Sequence, residues 1–212
     1  PTFGGFAFRL AATANERKND PVNVDAKDYG ANVTFSRGPI YLFAAYEEHK
    51  ENNNGNAFGQ IIVQPPATGQ TAGIAGYEEK GYAGGGSFVI GPVKLGAQYQ
   101  EYKKHGATAA VSRSKQKGWM GNVVFTAGNN QFIYQHMESK DGRLNTATTE
   151  EPDCKSDSLG YKYNFSRRTS FIAHYVDVKN NSTAACNFGS NRLAAGAGLD
   201  PRGFAVGFLH NF

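Results

Sequence analysis

The chain has 212 residues and a formal net charge of +4, too mild an excess to call for nucleic acid as a partner. Its 26 Gly, 15 Phe and 11 Tyr stand beside only 2 Met and 1 Trp, and the mean hydropathy is -0.50; such a chain is poor in helix-core residues and rich in strand aromatics and turn formers. No apolar run approaches the ~18 residues of a membrane-spanning helix, and no basic segment followed by an apolar stretch opens the chain. If it crosses a bilayer it does so as strands, which lipid tolerates only in a closed barrel.

In chain order, period-2 alternation predicts ten strands, over 3–13, 28–37, 39–50, 79–90, 92–103, 117–127, 130–140, 156–166, 168–178 and 202–212. Their connections alternate between short and long. Gly38-Pro39, Gly91-Pro92, Gly128-Asn129 and Arg167-Arg168 mark tight turns, whereas 51–78, 104–116, 141–155 and 179–201 are long and polar. All long connections therefore fall at one end, the asymmetry of an outer-membrane barrel, which a soluble sandwich has no reason to show. The expected fold class is an all-β, transmembrane antiparallel up-and-down barrel, with 1–212 as a single domain.

A Phe stands three residues before the first three tight turns, at Phe35, Phe88 and Phe125, and two before Arg167, at Phe165, and Phe212 closes the chain at the equivalent place. Six residues earlier, with the same parity, stand Tyr29, Tyr82, Trp119, Leu159 and Val206. Rings at a fixed height are what a lipid-facing girdle requires, since amphipathic aromatics favour the headgroup level. The rising strands repeat as well. Leu42, Ala44 and Tyr46 match Leu95, Ala97 and Tyr99, and more faintly Phe171, Ala173 and Tyr175.

If those Phe residues face lipid, the alternate set faces the interior. That set is polar and includes Arg9, Asn32, Lys94, Gln98, Asn122, Lys162 and Asn164, the candidate pore-lining residues. Lys or Arg on the lipid face near midplane costs about 2–4 kcal/mol but little in a wet bore, which settles the parity. The strand 130–140 is ambiguous, because Gln131 and Gln135 argue one way and Ile133 and Met137 the other. Arg9, Lys94 and Lys162, opposed by Glu47, predict a mild preference for anions.

Cys154 and Cys186 lie in polar, turn-rich stretches, where a disulfide and two free thiols are both open readings. No CxxC or Cys/His cluster exists, so no metal and no cofactor are expected. Gly84-Gly85-Gly86 is not a phosphate loop, having no strand-to-helix frame; it lets a side chain or protomer approach the wall.

The opening Pro1-Thr2-Phe3-Gly4-Gly5-Phe6, the Gly38-Pro39-Ile40-Tyr41 turn, the run SRRTSF from Ser166 to Phe171, and the terminal Gly207-Phe208-Leu209-His210-Asn211-Phe212 resemble the general trimeric porins of β-proteobacteria. The resemblance implies sixteen strands, three barrels per assembly, and passive diffusion of small hydrophilic solutes and ions through each bore. It also implies outer-membrane lipids and lipopolysaccharide around the wall, and recognition by the outer-membrane assembly machinery through Phe212. Because Pro1 resembles a stretch just past the inward-folded constriction loop, the first six strands and that loop are expected to precede this sequence.

Two rival functions come from other classes. A substrate-specific channel would use the long stretch 51–78 for recognition, and a barrel hydrolase would draw on His49, His174 and Asp177 with Glu47, Glu48, Glu78, Glu79, Glu150 and Glu151. Hydrolysis needs a base within reach of a nucleophile and a partner orienting it. No such grouping is legible, so the expectation is a non-enzyme.

Overall fold

The computed structural model describes residues 2–16, 25–50, 78–105, 114–143, 153–187 and 196–211. They form β1 (Thr2–Phe3), β2 (Phe6–Glu16), β3 (Asp25–Arg37), β4 (Ile40–Lys50), β5 (Glu78–Ile90), β6 (Val93–His105), β7 (Ser114–Ala127), β8 (Asn130–Arg143), β9 (Asp153–Asn164), β10 (Thr169–Asn180) and β11 (Arg202–His210). All are antiparallel in one sheet whose order is the chain order. β1 and β11 are its two edges and are not paired with each other. Short turns gather at one end of the sheet and long connections at the other, as the spacing predicts.

Gly38, Gly91 and Gly128 take positive φ values of 57°, 54° and 59° in three of the turns, a conformation that costs an L side chain about 1–2 kcal/mol. The sequence reading departs from the structure in three places. The expected strand 3–13 is broken at Gly4-Gly5, where φ is 59° and 92° and a two-residue hairpin pairs Phe3 with Phe6; both central residues need positive φ, and here both are Gly. The expected strand 156–166 stops at Asn164, and the turn runs over four residues rather than two. Ser166 causes this, because its hydroxyl accepts the N–H groups of Arg168 and Thr169 at 3.1 and 3.0 Å. Finally, several strands extend two to four residues further into the long-loop end than the apolar alternation reaches, as at Asp25 in β3 and Arg143 in β8.

Residues paired across an antiparallel ladder share a face, so register assigns the faces. Phe35 pairs with Phe6 and Leu42, Phe88 with Ile40 and Leu95, Phe125 with Val93 and Phe132, and Phe132 with Tyr161. One face is thus continuous in aromatic and aliphatic side chains from β2 to β11. Ring centroids lie 4.7 Å apart for Phe6 and Phe35, 5.3 Å for Phe132 and Tyr161 and 5.4 Å for Phe171 and Phe208, pairs of the kind that contribute about 0.2–1 kcal/mol each. The ambiguous strand resolves here: Phe132 and Tyr134 lie on the apolar face, and Gln131, Ile133, Gln135 and Met137 on the other.

A sheet apolar on one face normally buries it against a second layer. None exists among the described residues. Phe8, Leu42, Phe88, Trp119, Phe132, Leu159 and Phe204 are all exposed, and the buried hydrophobic residues among those described are Cys154, Val178 and Ala184. Of the expected girdle, Phe35, Phe88, Phe125 and Phe165 share the apolar face, Phe165 from within the turn, where it stacks 6.3 Å from Phe208. Phe212 lies outside the described residues.

The Gly4-Gly5 turn carries a prediction. A Cβ on Gly5 would lie 2.7 Å from the Ser36 carbonyl oxygen, while one on Gly4 meets nothing. Gly5→Ala should therefore cost clearly more than the about 1–2 kcal/mol of positive φ alone, and Gly4→Ala close to that figure, read as loss of stability of the folded full-length protein in guanidinium titrations.

Candidate functional site

Loop-ward of the apolar band, the same outer face becomes charged. The change is built from a repeated contact in which an aromatic donor meets a carboxylate: Tyr46 donates to Glu48 at 3.0 Å, Tyr99 to Glu101 at 3.2 Å, Trp119 to Glu138 at 3.1 Å and Tyr134 to Asp157 at 2.7 Å. Each carboxylate also takes a basic side chain. Glu101 holds Lys103 and Lys115 at 3.0 and 3.1 Å, Glu138 holds Lys155 at 3.1 Å, Asp157 holds His136 at 2.8 Å, and Glu48 lies 3.4 and 3.6 Å from Lys50 and Lys80. Lys103 further sits 5.5 Å over the Tyr82 ring. Aromatic rings with their polar ends turned toward a charged row is the arrangement of a side chain spanning an apolar–aqueous boundary.

The opposite face gathers the candidate lining residues. Arg9 pairs with Asn32, Gln98 with Gly85 and Met120, Asn122 with Gly96 and Gln135, Lys94 with Val89 and Val124, Lys162 with Gln131 and Ile172, and Asn164 with Ser170, all turned away from the Phe rows. Among the described residues, Arg9, Lys94 and Lys162 meet no carboxylate, in contrast with the paired lysines of the outer belt. Glycines shape this wall. Phe43 lies across Gly85, and the Asn122 amide fills the space a side chain at Gly96 would take, so the Gly84 run admits neighbouring side chains as expected. The face is less polar than alternation suggests, since Phe43, Ile133, Ile172 and Val176 also share it.

Two structured groups stand at its loop end. His49 is buried, with Nδ1 2.6 Å from Asp28 and Nε2 2.9 Å from Glu47; next to it, Lys104 lies 3.4 Å from the fully buried Glu79. His49 is thus an enclosed side chain rather than the loop-edge residue that position suggests. The second group is the start and end of the β10–β11 connection. A disulfide joins Cys154 to Cys186, closing a sequence separation of 32 residues, a constraint worth about 3 to 4 kcal/mol in chain entropy. Around it Ala184 and Met137 pack. Asn180 accepts the Cys186 N–H at 2.8 Å and donates to the Cys186 carbonyl at 3.0 Å, and Asn181 accepts the N–H of Ala184 at 2.9 Å. The far end is tied by Asp200, which accepts the Asn180 N–H at 2.9 Å and Lys179 Nζ at 3.0 Å. That backbone N–H, helped by Lys179, holds the Asp200 carboxyl below the usual aspartate range.

The hydrolase candidates divide: His49 and Glu47 meet at 2.9 Å, with Glu79 opposite His49 in the ladder, while the others lie apart. His174 pairs with Gly160 and Ala205 on the polar face, whereas Asp177 pairs with Arg202 on the outer face and accepts its guanidinium at 3.0 Å. Glu48 and Glu78 are outer-belt residues, and Glu150 and Glu151 lie outside the described residues.

A coreless antiparallel meander with one apolar band, one polar face, and all long connections at one end defines a class, the sheet of the outer-membrane β-barrel proteins. Solved structures agree with that fold. OmpT of Vibrio cholerae, expressed in the outer membrane, has a TM-score of 0.63 at 14% identity over 96% of this chain and 60% of that one. Its loop L8 deletion mutant gives 0.63 at 14% over 96% and 58%, and the in-vitro folded trimer form gives 0.58 at 12% over 95% and 64%. The chain thus spans about three fifths of the length of these structures. No curated protein matches it by sequence. Residues 1–183 match the Gram-negative porin family, and the chain belongs to that family.

Two outcomes are expected. Leu159→Lys, in the apolar band, should destabilise the protein folded in lipid by up to about 2–4 kcal/mol, whereas Gln135→Lys, on the polar face, should cost little; urea unfolding in vesicles compares them. Because the Asp200 carboxyl is depressed, its contribution is complete above the usual aspartate range and is lost as pH falls through its folded value. Hydrogen exchange at Asn180, corrected for intrinsic rates, should accelerate in acid, and Asp200→Asn should show the faster exchange already at neutral pH.

Proposed function

We propose that the chain is part of the wall of an outer-membrane diffusion channel, in which the apolar band faces lipid and the polar face lines a water-filled bore. One observation carries this reading: among the described residues the sheet has an apolar band with no second layer behind it and a polar face opposite. Backbone groups at a sheet edge are costly in hydrocarbon, and closure into a barrel is the arrangement that satisfies the edges at β1 and β11. Family membership supports sixteen strands, wide enough to keep an aqueous lumen rather than a bore filled by side chains.

Small hydrophilic solutes and ions then pass by diffusion, without chemistry on the wall. Arg9, Lys94 and Lys162 bias the local ion population toward anions. The bias is mild, because screening at 0.1 M salt confines each charge to about 10 Å, and Asp28, Glu47 and Glu79 add compensating charge at the loop end. The trimer form recorded for Vibrio cholerae OmpT supports a three-barrel assembly here, surrounded by outer-membrane lipid and lipopolysaccharide.

Full-length protein in planar bilayers should give ohmic conductance steps with a reversal potential displaced toward anions in a salt gradient. Arg9→Gln/Lys94→Gln/Lys162→Gln should move that potential toward cations, by more at low salt than at 1 M, where screening shortens to about 3 Å. A membrane that stays silent overturns the reading.

A further inference from the structure

The β10–β11 connection is anchored to the polar face. Cys154 belongs to the polar face, since it pairs with Ser139 and Asn180 while its sequence neighbour Lys155 points outward to Glu138. Its bond to Cys186 therefore carries the connection over the inside of the wall rather than away from it. Burial along β9 agrees. Cys154 is 2% exposed and Ser156 2%, whereas Lys155 and Leu159 on the other face are open.

The anchored segment is ordered by its own contacts. Ala184, 2% exposed, packs on the disulfide, and Gly198 N–H donates to the Ala184 carbonyl at 2.9 Å, tying the two ends of the connection together. Ser182 and Thr183 are the exposed residues of this segment, and the Thr183 hydroxyl donates to Asn181 Oδ1 at 3.1 Å. They are small and uncharged.

We propose that the segment Asn181–Asn187, pinned by Cys154–Cys186, is a fixed inward ledge at the loop end of the bore that narrows the path for solutes and sets a size limit there without adding charge. The ledge rests on the channel reading above for its effect on permeation, but not for its position. A covalent anchor suits this role, since a short segment held only by hydrogen bonds at a hydrated mouth would exchange them readily with water.

The test uses the full-length protein in planar bilayers. Thr183→Lys and Thr183→Asp keep the disulfide and should shift the reversal potential in opposite directions, toward anions and toward cations. Cys154→Ser/Cys186→Ser should raise the single-channel conductance and admit larger neutral polymers that the parent excludes. If the parent conducts and neither the charge pair nor the double variant changes conductance, selectivity or size limit, the ledge does not lie in the path and the proposal is overturned. A third measurement does not depend on conduction. In Cys186→Ser the remaining Cys154 thiol should react rapidly with a membrane-impermeant thiol reagent, because the seat opens without its bond; a Cys154 that stays protected shows that the disulfide does not hold the segment, which also overturns the proposal. A silent parent channel, by contrast, sinks the channel reading and leaves the position of the ledge to the labelling result.

Discussion

Backbone hydrogen bonding in apolar surroundings is the constraint from which the rest of this structure follows. A sheet that presents Phe, Tyr, Leu and Val on one face, with no layer to cover them, can persist only where that face meets something as apolar as itself. There an unpaired N–H or C=O costs several kcal/mol. Local pairing of each strand with its sequence neighbours satisfies those groups with the least loop entropy, and the unbroken order β1 to β11 is the result. The conventional core shrinks accordingly to three buried hydrophobic residues among those described.

Stability and solvation are then divided between two faces instead of an inside and an outside. On the outer face the boundary of the apolar band is marked chemically by the donors Tyr46, Tyr99, Trp119 and Tyr134 reaching loop-ward carboxylates. Those carboxylates in turn gather the lysines, so that the belt is largely self-neutralising. The polar face does the reverse near the turns, where Lys94 and Lys162 stand without carboxylate partners among the described residues.

At the loop end the polar face stops being a bare wall. His49 between Asp28 and Glu47, Glu79 beside Lys104, and the disulfide-anchored start of the β10–β11 connection bury polar groups that would otherwise line open water. The two ends of the sheet thus differ in kind. Turns such as Gly38-Pro39 end the wall abruptly, while the described start of the β10–β11 connection folds back onto it.

The linear sequence by itself determined the strands, the alternation of short and long connections, and the assignment of Phe35, Phe88, Phe125, Arg9, Lys94 and Lys162 to opposite faces. Each of these rests on two-residue periodicity and turn chemistry, which act between near neighbours. It under-read strand ends at the loop side because residues such as Lys104 and Lys115 alternate polar with polar. Only cross-strand partners, Glu79 for Lys104 and Glu101 for Lys115, make strands of them. Tertiary structure alone decided the face of β8, whose own pattern is balanced until Phe132 meets Phe125 and Tyr161. It also decided the burial of His49 and the inward seating of Cys186, since these depend on which residues distant in sequence the ladder brings side by side.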